Sequence, residues 1–166
     1  MIHLDALHAS HPSLPAWQVE AYVGCAAIAL QRRHAPGVVL LLTLDAAEIG
    51  EELTWEQRPR KEALMVDDKR VTEDGAECIA LALVAAHRKH WRLVRRLQSG
   101  KAEHADWLFQ NVESGQEIVL EISGTDTGPF ERRVRQKRGQ AALAAAMGAP
   151  AISVVRFSEP KALLEG

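Results

Sequence analysis

The sequence predicts an α/β domain whose core runs α-β-β-β-α-β, with a helix and strand extension in front of it. Three observations carry that expectation. GAECIALALVAAH (75–87) is apolar almost all round, as a buried helix is. WRLVRRLQ (91–98), ADWLFQN (105–111) and EIVLEISG (117–124) read as three strands, the last two joined across ESGQ, a hairpin signal. An Ala-rich helix from about Pro129 to Met147 then leads into AISVVRF (151–157), read as the final strand. At 166 residues the chain suits a single domain, in which residues 1–71 form an N-terminal extension packed on a core at 72–157.

Pro15 suits a helix start, and WQVEAYVGCAAIALQRR carries the helix to about His34, where Pro36 and Gly37 end it. VVLLLTL (38–44) is a continuous apolar strand. Residues 46–70 are the least legible: LTWEQ (53–57) reads as an edge strand before a charged connection through Arg58, Pro59 and Arg60. Thr72 is placed as the N-cap of the buried helix, with Glu73 and Asp74 in its first turn facing the dipole. Alternation sets Trp91, Leu93 and Arg95 on one side of their strand and Arg92, Val94 and Arg96 on the other. Gly100 turns the chain toward the second strand, and Gly148 with Pro150 stops the last helix.

Composition narrows the class. With 47% hydrophobic and 25% charged residues the chain is an ordinary soluble one, and its longest apolar run, Cys78 to Ala86, is too short to span a bilayer. The N-terminus lacks the basic-then-apolar layout of a secretory signal. Cys25 and Cys78 lie in apolar helical patterns and read as reduced core residues, so the expected compartment is the cytoplasm and no structural zinc is expected.

The net charge of −2 conceals a segregation. Residues 45–77 hold eleven acids, while 88–101 hold six bases and RRVRQKR (132–138) five more, neither with an acid. Such clusters either neutralise phosphates or form solvated faces. The acidic stretch could also complement the basic ones in a homodimer.

Glu121 stands among Ile118, Val119, Leu120 and Ile122, where an ionised carboxylate needs a counter-charge, a proton or a metal. Asp106 opens the preceding strand of the hairpin, so both carboxylates can share one face of the sheet. Two carboxylates in one place favour a bridging cation, and hard oxygen donors suit Mg²⁺ or Mn²⁺. Asp106 could instead cap a turn, and Glu121 could pair with a nearby arginine. On the 129–147 helix, Phe130, Val134, Ala141 and Ala144 form one stripe, and Lys137 falls inside it, aimed at the sheet unless it snorkels to solvent. Arg133 and Gln140 flank the stripe. Glu77 interrupts the buried helix as a third carboxylate, which the helix dipole alone could hold.

Asp106, the Glu121-x-Ser123 pair, Glu77 and their element order resemble the catalytic core of the PD-(D/E)xK phosphodiesterase superfamily over about residues 72–157. The resemblance implies a restriction-endonuclease-like fold and Mg²⁺- or Mn²⁺-dependent hydrolysis of DNA or RNA. It implies metal ligation by Asp106 and Glu121, with Glu77 contributing directly or through water. The family lysine two residues after the acidic residue is Ser123 here, which can orient water but supplies no positive charge. Lys137 is the expected replacement, carried by the following helix as in some members of the fold. Arg92, Arg95, Arg96, Lys101, Arg132 and Arg133 are the expected contacts to a nucleic-acid backbone. His104 could touch a substrate phosphate or simply enter the strand.

Two other outcomes remain open in the sequence: a catalytically inactive module that binds nucleic acid or a protein, and a structural subunit whose basic stretches face a partner. No Gly-rich phosphate loop, G-x-S-x-G elbow or H-E-x-x-H motif is present.

Overall fold

A computed structural model describes residues 1–98 and 105–166. The chain forms β1 (Ile2–His3), a 3-10 turn (Leu4–Ala6), α1 (Leu7–Ser10), α2 (Ala16–Gln31), β2 (Val38–Leu44) and β3 (Ala47–Thr54). It continues through α3 (Arg60–Ala63), α4 (Asp68–His87), β4 (Trp91–Arg96), β5 (Trp107–Asn111) and β6 (Glu117–Thr125). α5 (Phe130–Leu143), β7 (Ala149–Arg156) and β8 (Lys161–Glu165) complete it.

The architecture is mixed α/β. The strands join one sheet in the order β1-β3-β2-β8-β7-β6-β5-β4. β4, β5 and β6 form an antiparallel meander, whereas β7 lies parallel to β6, so α5 is the crossover between them. α2 and α4 cover one face, burying Ala26, Leu30, Ile79 and Leu83 against Trp107, Phe109, Leu120 and Ile122. α5 covers the other, with Phe130, Val134 and Ala141 on Ile152, Val154 and Leu163. Each fully buried aliphatic or aromatic side chain in such a core contributes roughly 1.5–3 kcal/mol relative to exposure.

Several boundaries differ from the sequence expectation, each for an identifiable reason. The buried helix starts at Asp68, not Thr72: the Asp67 carboxylate accepts from the amides of Lys69 (3.0 Å) and Arg70 (3.2 Å). The earlier start lets Val71 enter the core, and Thr72 bonds the Asp68 carbonyl at 3.0 Å inside the helix. Glu73 and Asp74 consequently lie beyond the first turn. LTWEQ is not a separate strand; β3 ends at Thr54 and pairs with β2 from Ala47 to Leu53. α5 ends at Leu143, and Pro150 lies within β7, opposite Val119, instead of stopping the helix. AISVVRF is not the last strand. KALLE forms β8, which pairs antiparallel with β7 and parallel with β2 and so joins the meander to the N-terminal strands.

β4 departs from strict alternation. A bulge between Leu93 and Arg95 shifts the register, so Leu93 faces Phe109 while Arg96 faces Trp107. An extra residue in one strand re-aims every side chain beyond it. Arg96 therefore shares the face of Leu93, opposite to the side that alternation assigns it. The turn expected at Gly100, with Lys101 and His104, lies outside the described residues.

Candidate functional site

Alternation in β6 sends Ile118, Leu120 and Ile122 toward α2 and α4, leaving Val119, Glu121 and Ser123 on the α5 face. Glu121 is buried there, and Lys137 reaches it from α5: its ammonium donates directly to Glu121 Oε1. The apolar stripe of Phe130, Val134, Ala141 and Ala144 is buried, and it holds the helix in the rotation that aims Lys137 at the sheet. The pair is largely removed from solvent, with side chains 14% and 8% exposed.

Asp106 stands where β5 parts from β6. Ladder pairing between the two strands ends at Trp107 and Leu120, and the Asp106 carboxylate takes over, accepting the Ile122 amide at 2.7 Å. The Asp106 amide donates to the Leu120 carbonyl at 3.0 Å, fixing the residue from both sides. The carboxylate thus fills a hydrogen-bonding place that a strand would otherwise occupy.

Glu77 approaches from the opposite face of the sheet. α4 can lie against β6 only because residue 124 is glycine: a Cβ there would sit 2.4 Å from the Thr72 carbonyl oxygen and 2.8 Å from the Ala76 Cβ. Glu77 is buried, with Oε2 accepting the Trp107 indole N–H and Oε1 facing the Arg96 guanidinium at 3.3 Å. Arg96 also donates to the Tyr22 hydroxyl and lies 5.1 Å from the centre of the Trp107 ring.

Asp106, Glu77, Arg96 and Lys137 line a cleft of about 690 Å³ at the C-terminal end of β6, and Glu121 lies behind Lys137, outside the lining. Thr72, Glu73 and Glu77 form one wall; Arg133, Gln136 and Lys137 form the other. Asp106, Ile122 and Ser123 line it between them. Lys69 and Asp126 stand at the same cleft, where Asp126 also pairs with Arg33 at 2.6 Å.

The carboxylates perturb one another. Burial raises Glu121 above the usual carboxylate range, the Asp106 charge raises it further, and Lys137 opposes both. Glu77 is pushed up to about 7 by burial first and the Asp106 charge second, against the pull of Trp107 and Arg96. Tyr22 rises to about 12, chiefly through burial and then through the Glu77 charge. Asp106 therefore acts electrostatically on acids from both faces of the sheet.

Two hard carboxylates, Asp106 and Glu121, are the oxygen donors nearest each other, and burial together with the Asp106 charge, opposed by Lys137, raises Glu121. In that respect the donor chemistry fits a divalent ion. Both oxygens of Glu77 already accept bonds, so an ion ligated by it directly would share those oxygens with Arg96 and Trp107. Among the described residues, no group of three His, Cys, Asp or Glu side chains is arranged to hold a metal ion.

The expected nucleic-acid contacts separate in space. Arg96 and Arg133 line the cleft. Arg92 borders a different depression with Lys89 and Trp91, Arg132 is exposed on α5, and Arg95 lies exposed on β4. Lys101 is outside the described residues. Part of the acidic 45–77 stretch is neutralised within the chain: Asp45 pairs with Arg88 at 2.7 Å and Asp74 with Arg70 at 3.0 Å.

The sequence reading missed Lys69, Tyr22, Trp107 and Gln136 at or beside the cleft. Lys69, Glu73 and Glu77 follow one another at four-residue spacing along α4, a signal that places them on one face. Trp107 carried no comparable signal, because its indole N–H matters only once Glu77 has been brought to it.

Among the described residues, no helix is long and apolar enough to cross a membrane, and Cys25 and Cys78 are buried free thiols. No protein-family model matches the chain, and neither a curated protein nor a solved structure is significantly similar to it.

Proposed function

We propose that the protein is a metal-dependent phosphodiesterase of the PD-(D/E)xK type acting on nucleic acid. The observation that carries this reading is the ion pair between Lys137 and Glu121 beside Asp106, at the end of the β5–β6 fork. It provides an ammonium group in the region where the family motif has its lysine and where this chain has Ser123. The α-β-β-β-α-β order and the parallel β6–β7 pair also support a restriction-endonuclease-like core.

In this reading Asp106 and Glu121 hold Mg²⁺ or Mn²⁺, and Glu77 joins them directly or through water. Such an ion supplies Lewis acidity and a more acidic bound water. Lys137 stabilises negative charge developing on the phosphoryl oxygens, while Ser123 hydrogen-bonds and orients the attacking water. Arg96 and Arg133 hold the substrate backbone at the cleft.

The test is cleavage of mixed-sequence DNA and RNA by the purified protein with Mg²⁺ or Mn²⁺. Asp106→Ala and Glu121→Ala are each expected to lose at least about a hundredfold in rate. Undiminished cleavage by both variants overturns the reading.

A second reading, a catalytically inactive module of the same fold that binds nucleic acid or a protein partner, is favoured by one observation: Lys137 already neutralises Glu121 without an ion. Calorimetric titration with Mn²⁺ separates the two. Heat of binding that disappears in Asp106→Ala and Glu121→Ala supports the enzyme, and its absence in the wild type supports the module.

A further inference from the structure

A second cavity, of about 810 Å³, opens beside the carboxylate cleft and is lined by Arg32, Arg33, Arg58 and Arg60. These arginines lie outside both basic stretches of the sequence and outside the segment that resembles a nuclease core. Folding gathers them: two close α2, one lies in the segment after β3 and one begins α3. Asp68 and Asp126 are the acids on the same walls, leaving a formal excess of two positive charges (four arginines against two aspartates).

The arrangement is held by backbone as well as side chains. The Gln31 amide donates to the Arg58 carbonyl and accepts from the Arg58 amide, both at 2.9 Å, fastening the connecting segment to α2. Arg32 pairs with Asp68 and Arg33 with Asp126. The other two are less satisfied. Arg58 has only a 3.8 Å contact with Asp5, and its Nε is buried with no hydrogen-bond partner among the described residues. Arg60 is exposed and forms no ion pair among the described residues.

The cavity adjoins the cleft at two places. Asp126 lines both, and the first turn of α4 places Asp68 on one and Lys69 on the other. A linear polyanion lying in the cleft can therefore continue across the arginines, whereas an isolated anion has no need of the connection. Arginine suits such a path because its planar fork matches phosphate oxygens.

We infer that this arginine-lined cavity is a backbone-binding subsite for the phosphodiester strand of a nucleic acid, engaged through Arg58 and Arg60 outside the catalytic cleft. The inference rests on the nucleic-acid reading of that cleft, and it assigns substrate binding to the N-terminal seventy residues.

The experiment measures binding of a labelled oligonucleotide, single-stranded and duplex, over a salt series in EDTA, so that no cleavage is required. The double variant Arg58→Ala/Arg60→Ala is expected to bind at least about tenfold more weakly at 0.1 M salt. Its log–log salt slope should be shallower by about 1.8 on duplex and about 1.4 on single strand. Arg60→Glu, at an exposed position, repeats the test without disturbing packing, and its expected effect is a comparable loss of affinity. Affinity and slope equal to wild type in both variants overturn the subsite, whatever the protein cleaves. Binding of inorganic phosphate without oligonucleotide binding overturns it as well. Oligonucleotide binding that depends on these arginines, in a protein that never cleaves, upholds the subsite and removes only the catalytic reading.

Discussion

Glu121 and Glu77 are both buried acids beside the same aspartate, on opposite faces of one sheet, yet they are held in different ways. Glu121 has an ammonium partner whose position is set by an apolar helix stripe. Glu77 has an indole N–H and a guanidinium that is itself 49% exposed. The α5 face therefore carries a compensated charge pair, and the α2/α4 face carries an acid poised to take up a proton. Burial alone does not decide the state of a carboxylate; the partner delivered by the opposing element does.

Removing the partner on the α5 face should have the largest effect. Lys137→Met leaves Glu121 with an uncompensated buried charge, and a loss of about 3–5 kcal/mol in unfolding free energy is expected at pH 8. Denaturant titration at progressively lower pH should give a smaller loss, because the upward-shifted Glu121 takes up a proton and the charge is relieved. An equal loss at every pH would mean that Lys137 acts through packing and that the comparison is wrong.

Replacing the acid on the other face should change the pH profile. Between its ordinary range and about 7, Glu77 keeps a proton in the folded protein that the unfolded chain has released. The folded state then binds more protons, so stability falls as pH rises through that window, by roughly 3 kcal/mol from this group. Glu77→Gln should flatten the profile between about pH 4.5 and 7, as read from unfolding midpoints. An unchanged slope would assign the dependence to other groups.

The smallest effect is expected at Arg96. The Arg96 side chain is half in solvent and Glu77 can take up a proton when its partner leaves, so Arg96→Met should cost less than about 1 kcal/mol. Because Arg96 favours the charged carboxylate, the same substitution should move the Glu77 titration, followed by carboxyl NMR, to higher pH. A downward movement would show that the guanidinium does not govern this acid.

The Lys137–Glu121 encounter was legible in the sequence because each half has a period. Glu121 interrupts an apolar strand, and Lys137 falls inside a helical stripe, so both side chains are directed before any tertiary contact is known. Arg96 was not legible in this way: the bulge that turns it toward Glu77 depends on register with β5, a nonlocal partner. The start of α4 was misjudged because Asp67 and Thr72 both have capping chemistry, and burial of Val71 decides between them. β8 was missed because five residues after Pro160 carry little periodic signal; their strand character comes from β7 and β2 on either side.

That strand has a consequence for biosynthesis. β8 lies between β7 and β2, so the β2–β3 hairpin, made early, has no place in the sheet until residues 161–165 have emerged from the ribosome. Until then the hairpin's unpaired β2 edge is open to other chains. In-register capture by Leu163 and Leu164, opposite Thr43 and Leu44, is what closes it.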